Sequence, residues 1–111
     1  MNISTEDRDG RTIVSLREER LDALNSGELR DYLLGLLEES GKQLVVDLSG
    51  VSFIDSSGLG ALLSGYKNAN LRSGWFALAG LQPRVQSMFE LTRLHRVFEI
   101  FPTVDAALAK A

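Results

Sequence analysis

The residues with the most chemical potential stand together in Asp55-Ser56-Ser57-Gly58-Leu59-Gly60, a carboxylate followed by two hydroxyls and two glycines. An apolar strand pattern, Leu44 to Leu48, precedes this stretch, and a helical apolar pattern from Leu59 to Tyr66 follows it. The chain is therefore expected to leave a sheet and start a helix here. Asp and Ser suit that position because their oxygens accept hydrogen bonds from the unpaired amides of a first helical turn.

A serine nucleophile is the first chemistry to test against this stretch. Such a serine needs a base within hydrogen-bond reach and donors for an oxyanion. The Gly-x-Ser-x-Gly elbow is absent, and neither Ser56 nor Ser57 starts a Ser-x-x-Lys pair. The single histidine, His95, stands among arginines as surface residues do. We therefore expect no enzymatic activity and no catalytic residue.

A phosphate cradle for a nucleotide is the second interpretation. Small residues at a helix start leave backbone amides free to face a phosphate. The Walker pattern lacks its lysine, since none follows before Lys67, and the dinucleotide pattern has Leu63 where its third glycine belongs. Both nucleotide motifs fail, and we expect no cofactor and no metal.

Helix capping alone explains the hydroxyls of this stretch but not its glycines. Each glycine inside a helix costs roughly 1 kcal/mol relative to alanine, so Gly58 and Gly60 weaken the helix start. What they supply is a bare backbone surface that another molecule can approach closely. We interpret them as keeping the surface low for a docked partner.

A regulatory phosphorylation site is the interpretation that remains. A serine at a helix start is accessible to a kinase, and phosphorylation adds about −1.5 to −2 charge at pH 7. The helix dipole favours that charge by roughly 0.3–1 kcal/mol, so the domain need not unfold. A partner packed over Leu59, Gly58 and Gly60 would meet the dianion, and a penalty of about 3–4 kcal/mol weakens binding several hundredfold.

Length and composition are those of one globular domain, which we expect to span residues 1–111. Hydrophobic residues make up 44% of the chain and charged residues 24%, an ordinary balance for a chain that buries its own core. The absence of cysteine fits a cytoplasmic protein. A net charge of −3 argues against a nucleic-acid partner. No apolar run approaches the roughly 18 residues of a membrane span, and the N-terminus has no signal-peptide pattern.

The elements around this stretch follow from hydrophobic periodicity and turn signals. The predicted strands are Ile3–Thr5, Arg11–Leu16, Gln43–Leu48, Trp75–Ala79 and Val97–Phe101. The predicted helices follow Asn25 and Ser57, begin at Pro83, and follow Thr103. The near-continuous apolar run of the third strand predicts a central parallel strand buried on both faces. This order predicts an α/β fold, a mixed sheet of four to five strands with about four helices packed against it.

Local signals predict further details of these elements. Asp9-Gly10 predicts a hairpin turn, because both positions tolerate positive φ. Asn25 with Glu28 three residues later predicts a capping box, and Gly41 is placed to end the same helix. Arg17 to Arg20 is interpreted as a solvated connection. The residues of the third helix expected to face inward are Val85, Met88, Phe89 and Leu91.

Three segments together resemble one known family. Val46-Asp47-Leu48-Ser49-Gly50-Val51-Ser52-Phe53-Ile54-Asp55-Ser56-Ser57-Gly58-Leu59-Gly60 resembles the signature of the bacterial anti-sigma factor antagonists of the STAS domain class. Leu21-Asp22-Ala23, followed by Asn25 and a helix, is similar to a second motif of that family. Phe98-Glu99-Ile100-Phe101-Pro102-Thr103 with Asp105-Ala106-Ala107-Leu108 resembles its C-terminal end. The resemblance covers essentially the whole chain and implies a single STAS domain.

The resemblance implies partner switching. Unphosphorylated members of the family bind an anti-sigma factor that is also a serine kinase, and so free the sigma factor. The kinase uses ATP to phosphorylate the serine directly after the motif aspartate, here Ser56, and a metal-dependent serine phosphatase reverses the reaction. Ser57 is then the helix cap. The implied partner-binding residues are Asp22, Asp55, Ser56, Ser57, Gly58, Leu59, Gly60, Ser64 and Lys67.

One departure from the family pattern and two alternatives accompany this hypothesis. The family usually has glycine where Glu19 precedes Arg20-Leu21-Asp22, which affects loop geometry and partner choice. STAS-like single domains also resemble accessory subunits of a bacterial lipid-transport ATPase complex, in which the same surface is a fixed docking face. An enzyme would instead show turnover or ATP binding by the isolated chain. We expect a monomer or a weak dimer.

Overall fold

The computed structural model describes residues 1–39 and 43–110, which form one mixed sheet, a small second sheet and four helices. The strands are β1 (Ile3–Arg8), β2 (Arg11–Leu16), β3 (Arg20–Leu21), β4 (Gln43–Asp47), β5 (Phe53–Ile54), β6 (Trp75–Ala79) and β7 (Glu99–Phe101). The helices are α1 (Ser26–Glu39), α2 (Ser56–Leu71), α3 (Pro83–Leu91) and α4 (Val104–Leu108), and a 3₁₀ turn covers Leu94–Arg96. The predicted α/β fold, with a mixed sheet and about four helices, is confirmed.

The main sheet has five strands in the order β1-β2-β4-β6-β7. β1 pairs antiparallel with β2, and all the other neighbours are parallel. The hairpin turns at Asp9 and Gly10, whose φ angles of 54° and 80° are both positive, as the turn signal predicts. β4 lies in the centre, and its Leu44, Val45 and Val46 are fully buried, which confirms the prediction of a strand covered on both faces.

The helices are divided between the two faces of this sheet. Alternate residues of β4 point to opposite sides, so Leu44 and Val46 join the larger core, which α1, α2 and α3 cover. Val45 joins a smaller core on the other side, closed by Val104 and Ala107 of α4. The N-terminal ends of α2 and α3 follow strands β5 and β6, and the motif residues lie at the start of α2.

A two-stranded parallel sheet, β3 with β5, links the two segments on which the motif depends. The carbonyl of Glu19 accepts hydrogen bonds from the amides of Ser52 at 2.8 Å and Phe53 at 3.1 Å. The carbonyl of Leu21 accepts another from the amide of Asp55 at 3.2 Å. Arg17, Glu19 and Arg20 are exposed, as predicted for a solvated connection, and the second half of that connection is also fastened by its backbone to the start of α2.

The capping box predicted at Asn25 and Glu28 is not formed. The side-chain carbonyl of Asn25 accepts from the amide of Asp22 at 3.0 Å, and its NH₂ group donates to the carbonyl of Arg20 at 2.7 Å. Glu28 pairs with the amino group of Met1 at 2.9 Å. The side chain of Asn25 therefore pairs with backbone groups of the preceding loop and does not cap α1. Those backbone groups would otherwise lack a partner.

The structure also tests the predictions made for Pro83, Thr103 and Leu91. Pro83 opens α3, and Thr103 caps α4 by accepting from the amide of Ala106 at 3.0 Å, both as predicted. Leu91 was predicted to face inward and is 79% exposed instead, because α3 ends there, beyond the last turn that meets the sheet. Gly41, the predicted end of α1, lies outside the described residues. Among residues 1–39 and 43–110, none of the helices combines the length and apolarity that crossing a membrane requires.

Candidate functional site

Asp55 caps α2 and so fixes where its first hydroxyls lie. Its extended backbone, with φ −113° and ψ −173°, precedes the helix, and its carboxylate accepts a hydrogen bond from the amide of Gly58 at 3.0 Å. This is the usual N-cap geometry, in which a side-chain oxygen satisfies an amide of the first turn. The assignment of the cap to Ser57 is therefore wrong. Ser57 is already inside the helix, and Ser56 is its exposed first residue.

Gly58 and Leu59 face the interior, which corrects their assignment to the partner surface. A Cβ atom on Gly58 would lie 2.5 Å from the carbonyl oxygen of Leu21 and 2.8 Å from Cγ1 of Ile54. The glycine therefore lets α2 approach β3 and β5 closely, which is an internal packing role. Leu59 is only 4% exposed and belongs to the main core.

Gly60 keeps the role that the sequence analysis assigned to both glycines. A Cβ atom there would have no neighbour within 4 Å, and the residue is exposed. It lies in a polar notch of about 430 Å³ between α1 and α2. The notch is lined by Ser26, Gly27, Arg30, Ser57, Gly60, Ala61 and Ser64. Its small side chains leave room for a protruding side chain of another molecule.

A second hollow opens on the other side of Ser56. This cleft, of about 540 Å³, lies between β5 and α3 and is lined by Ser52, Phe53, Ile54, Asp55, Ser56, Arg84, Ser87 and Met88. Phe53, Ile54 and Met88 give it an apolar lining, while Arg84 brings a cation. The sequence analysis missed the cleft, because α3 comes some thirty residues after the motif and nothing local to Arg84 marks it.

Asp22 shapes the loop that leads into α1. Its carboxylate accepts from the amide of Leu24 at 3.0 Å and from the guanidinium of Arg20 at 3.3 Å. Its backbone carbonyl accepts from the amides of Asn25 at 3.2 Å and Ser26 at 2.9 Å. The loop presents Leu24, which is 95% exposed, in a hollow that Asp22 also lines. A leucine in a polar loop was the available signal for this residue, and sequence reasoning passed over it.

The family model described as the STAS domain matches residues 2–107. The chain belongs to the STAS domain family. An anti-sigma-B factor antagonist of Listeria monocytogenes is 33% identical to this STAS domain over 102 residues, which cover 90% of each chain. The anti-sigma-B factor antagonist of Bacillus subtilis is 31% identical over 80 residues, 72% of each chain.

A crystal structure of an anti-sigma factor antagonist from Mycobacterium paratuberculosis superposes on this STAS domain with a TM-score of 0.87. The two chains are 30% identical, and the alignment covers 96% of this chain and 90% of the other. The resemblance predicted from the three sequence segments is confirmed by these comparisons.

The predicted site residues of this STAS domain fall into a set that is exposed or half-buried and a buried pair. Ser56 and Ser57 stand at the start of α2 between the notch and the cleft, with Asp55 beneath them. Gly60, Ser64 and Lys67 follow at helical spacing along one side of α2, and Lys67 is exposed. Gly58 and Leu59 form the buried pair that packs against the domain itself.

Proposed function

We propose that this protein is an anti-sigma factor antagonist that binds a serine-kinase-type anti-sigma factor and is released when Ser56 is phosphorylated. The observation that carries the proposal is the position of Ser56, an exposed first residue of α2 whose neighbour Asp55 already caps the helix. The names of the relatives support the partner class. On this proposal the protein is a substrate and not a catalyst, and it acts as a single STAS domain in the cytoplasm.

The proposed chemistry is transfer of the γ-phosphoryl group of ATP to Oγ of Ser56. ADP leaves, and the hydroxyl proton passes to a base of the kinase, so this chain contributes only the acceptor oxygen. The carboxylate of Asp55 already accepts from the amide of Gly58, so the hydroxyl of Ser56 is not needed for that cap. A metal-dependent serine phosphatase returns the hydroxyl by hydrolysis of the phosphoserine.

The partner-binding surface consists of exposed and half-buried residues near Ser56. It includes Ser57, Gly60, Ser64 and Lys67 along α2, together with the loop that presents Leu24. Leu24 offers the partner a large apolar side chain that is 95% exposed. A phosphate at the centre of this surface must be desolvated against the partner, and a penalty of about 3–4 kcal/mol weakens binding several hundredfold.

Binding of the purified chain to the candidate anti-sigma factor tests this proposal. Ser56→Ala keeps the affinity of the wild type, and Ser56→Asp loses it by at least tenfold. Ser73→Asp, which adds the same charge at the far end of α2, serves as the matched control and leaves binding unchanged. Equal binding by Ser56→Asp and Ser56→Ala would instead indicate a fixed docking face, such as an accessory subunit of a transport ATPase would present.

Phosphopeptide mass spectrometry on protein from its native cells tests the modification itself. The peptide that contains residue 56 carries phosphate when the kinase is active and loses it when the phosphatase is active. A peptide that stays unmodified under both conditions contradicts the switch.

A further inference from the structure

Ser56 and Arg84 line the same cleft. Ser56 lies with Asp55 at the start of α2, and Arg84 lies in the first turn of α3. The two residues are 28 positions apart in sequence, yet β5 and α3 are packed side by side and bring them to one opening. A group added to Oγ of Ser56 is therefore added to a residue that lines one cleft with Arg84.

The cleft has few charged residues, and only some of them already have a hydrogen-bond or ion-pair partner. Among its lining residues, Asp55 is the one acid and Arg84 the one base. The carboxylate of Asp55 accepts a hydrogen bond from the amide of Gly58 at 3.0 Å. Within residues 1–39 and 43–110, Arg84 has no carboxylate within 4.0 Å, whereas Arg8, Arg20 and Arg30 each do. The exposed guanidinium of Arg84 is thus free to meet a new anion.

We propose that Arg84 binds the phosphate of phosphorylated Ser56 within the same molecule and thereby closes the cleft beside α2. This inference rests on the proposed function, since it concerns the modified form of Ser56. A guanidinium offers a planar fork of donors that fits phosphate oxygens in pairs. When Arg84 turns across the opening, its side chain covers the apolar lining formed by Phe53, Ile54 and Met88. Phosphorylation then covers this cleft as well as adding charge.

Ser57 provides the internal contrast for this proposal. Its side chain belongs to the notch between α1 and α2, where the cation is Arg30. Arg30 lies 3.6 Å from the carboxylate of Asp31, so it already has an anionic partner. Two adjacent serines therefore face different cations, and only a phosphate at position 56 comes to Arg84.

The test uses the full chain with phosphoserine incorporated during translation at position 56, which requires no kinase. Titration of its ³¹P NMR signal gives the second pKa of the phosphate, which an adjacent cation lowers because it favours the dianion. Arg84→Gln raises that pKa by about half a unit, the size expected for one exposed ion pair. Arg96→Gln, which removes a cation from outside the cleft, leaves the pKa unchanged.

Two further samples keep the result interpretable. With phosphoserine at position 57, Arg84→Gln leaves the second pKa of the phosphate unchanged; an equal shift at both positions would mean a general field effect and would overturn the proposal. Arg84→Lys keeps the charge and lowers the pKa less than arginine does, and it replaces the glutamine variant if that variant does not fold. The proposal is also overturned if the second pKa of a phosphate at position 56 does not change with any substitution of Arg84.

The outcome is separable from that of the proposed function. A shift that depends on Arg84, combined with an unmodified Ser56 in cells, would reject the phosphorylation switch but leave the intramolecular contact standing. A phosphorylated Ser56 in cells, combined with a phosphate pKa that does not depend on Arg84, would reject the contact alone.

Discussion

Replacement of Gly58 by alanine tests whether this glycine serves internal packing and not the partner surface. The added methyl would lie 2.5 Å from the carbonyl oxygen of Leu21 and 2.8 Å from Cγ1 of Ile54. The carbonyl is part of the β3 backbone, so a rotamer change cannot relieve the closer contact. Overpacking of this kind costs about 1–3 kcal/mol, while alanine recovers at most about 1 kcal/mol of helix propensity.

The net expectation is that Gly58→Ala lowers the free energy of unfolding by roughly 1–2 kcal/mol. For a domain of this size the melting temperature then falls by about 4–8 °C. Urea denaturation followed by circular dichroism measures the loss. Gly60→Ala is the matched control two residues along the same helix, and with no atom within 4 Å of the new Cβ it does not destabilise the domain. A Gly58→Ala variant as stable as the wild type, or a Gly60→Ala variant equally destabilised, would refute the reasoning.

Three further expectations concern binding and pH. Gly60→Leu fills the notch between α1 and α2, and it weakens binding of the anti-sigma factor about tenfold, or about 1.4 kcal/mol, in a titration that leaves the urea midpoint unchanged. Leu24→Ala removes an exposed anchor and weakens the same binding by a similar factor without changing stability, because the side chain is 95% exposed. The pKa of Glu99 is held below its ordinary value of 4.5, chiefly by its hydrogen bond to Lys110. The contribution of Glu99 to stability is therefore present above about pH 4.5 and is lost as the pH falls through the lower folded-state pKa. The difference in urea midpoint between the wild type and Glu99→Gln is then larger at pH 6 than at pH 3.

The expectations for Leu24 and Glu99 have controls of their own. Leu71→Ala removes another leucine, 81% exposed, from the opposite end of α2 and leaves binding unchanged; if it weakens binding as much as Leu24→Ala does, the loop is not a specific anchor. For Glu99, a difference from the glutamine variant that stays constant from pH 6 to pH 3 contradicts the ion-pair explanation. The pair is partly exposed, so the effect is small and diminishes with added salt.

The sheet and its helices were predictable because each has a periodic signal of its own. β2 and β6 carry the predicted boundaries, and the apolar run of β4 identified the central strand. β3 and β5 were not predictable, since strands of two residues have no period, and their pairing depends on contacts more than thirty residues apart. The same limit hid the cleft with Arg84, which exists only once α3 lies beside β5.

The two glycines of the motif show most clearly what a sequence leaves undecided. Gly58 and Gly60 stand in one short stretch, and neither has a side chain whose polarity would indicate whether its position is buried or exposed. The turn of the helix between them, about 200°, sends one toward Leu21 and the other toward solvent. Ser56 could be chosen as the phosphorylation site from its place after Asp55, whereas the cap had to be read from the hydrogen bond to Gly58.

The small sheet of β3 and β5 makes the loop with Asp22 and the start of α2 one mechanical unit. The amides of Ser52 and Phe53 donate to the carbonyl of Glu19, and the amide of Asp55 donates to the carbonyl of Leu21, so backbone hydrogen bonds join the two segments. Segments fastened in this way open together, so their amide protons exchange with solvent at a common rate. A partner that grips only the loop would therefore slow exchange at Phe53 and Asp55 as well, and would restrain the serine it does not touch.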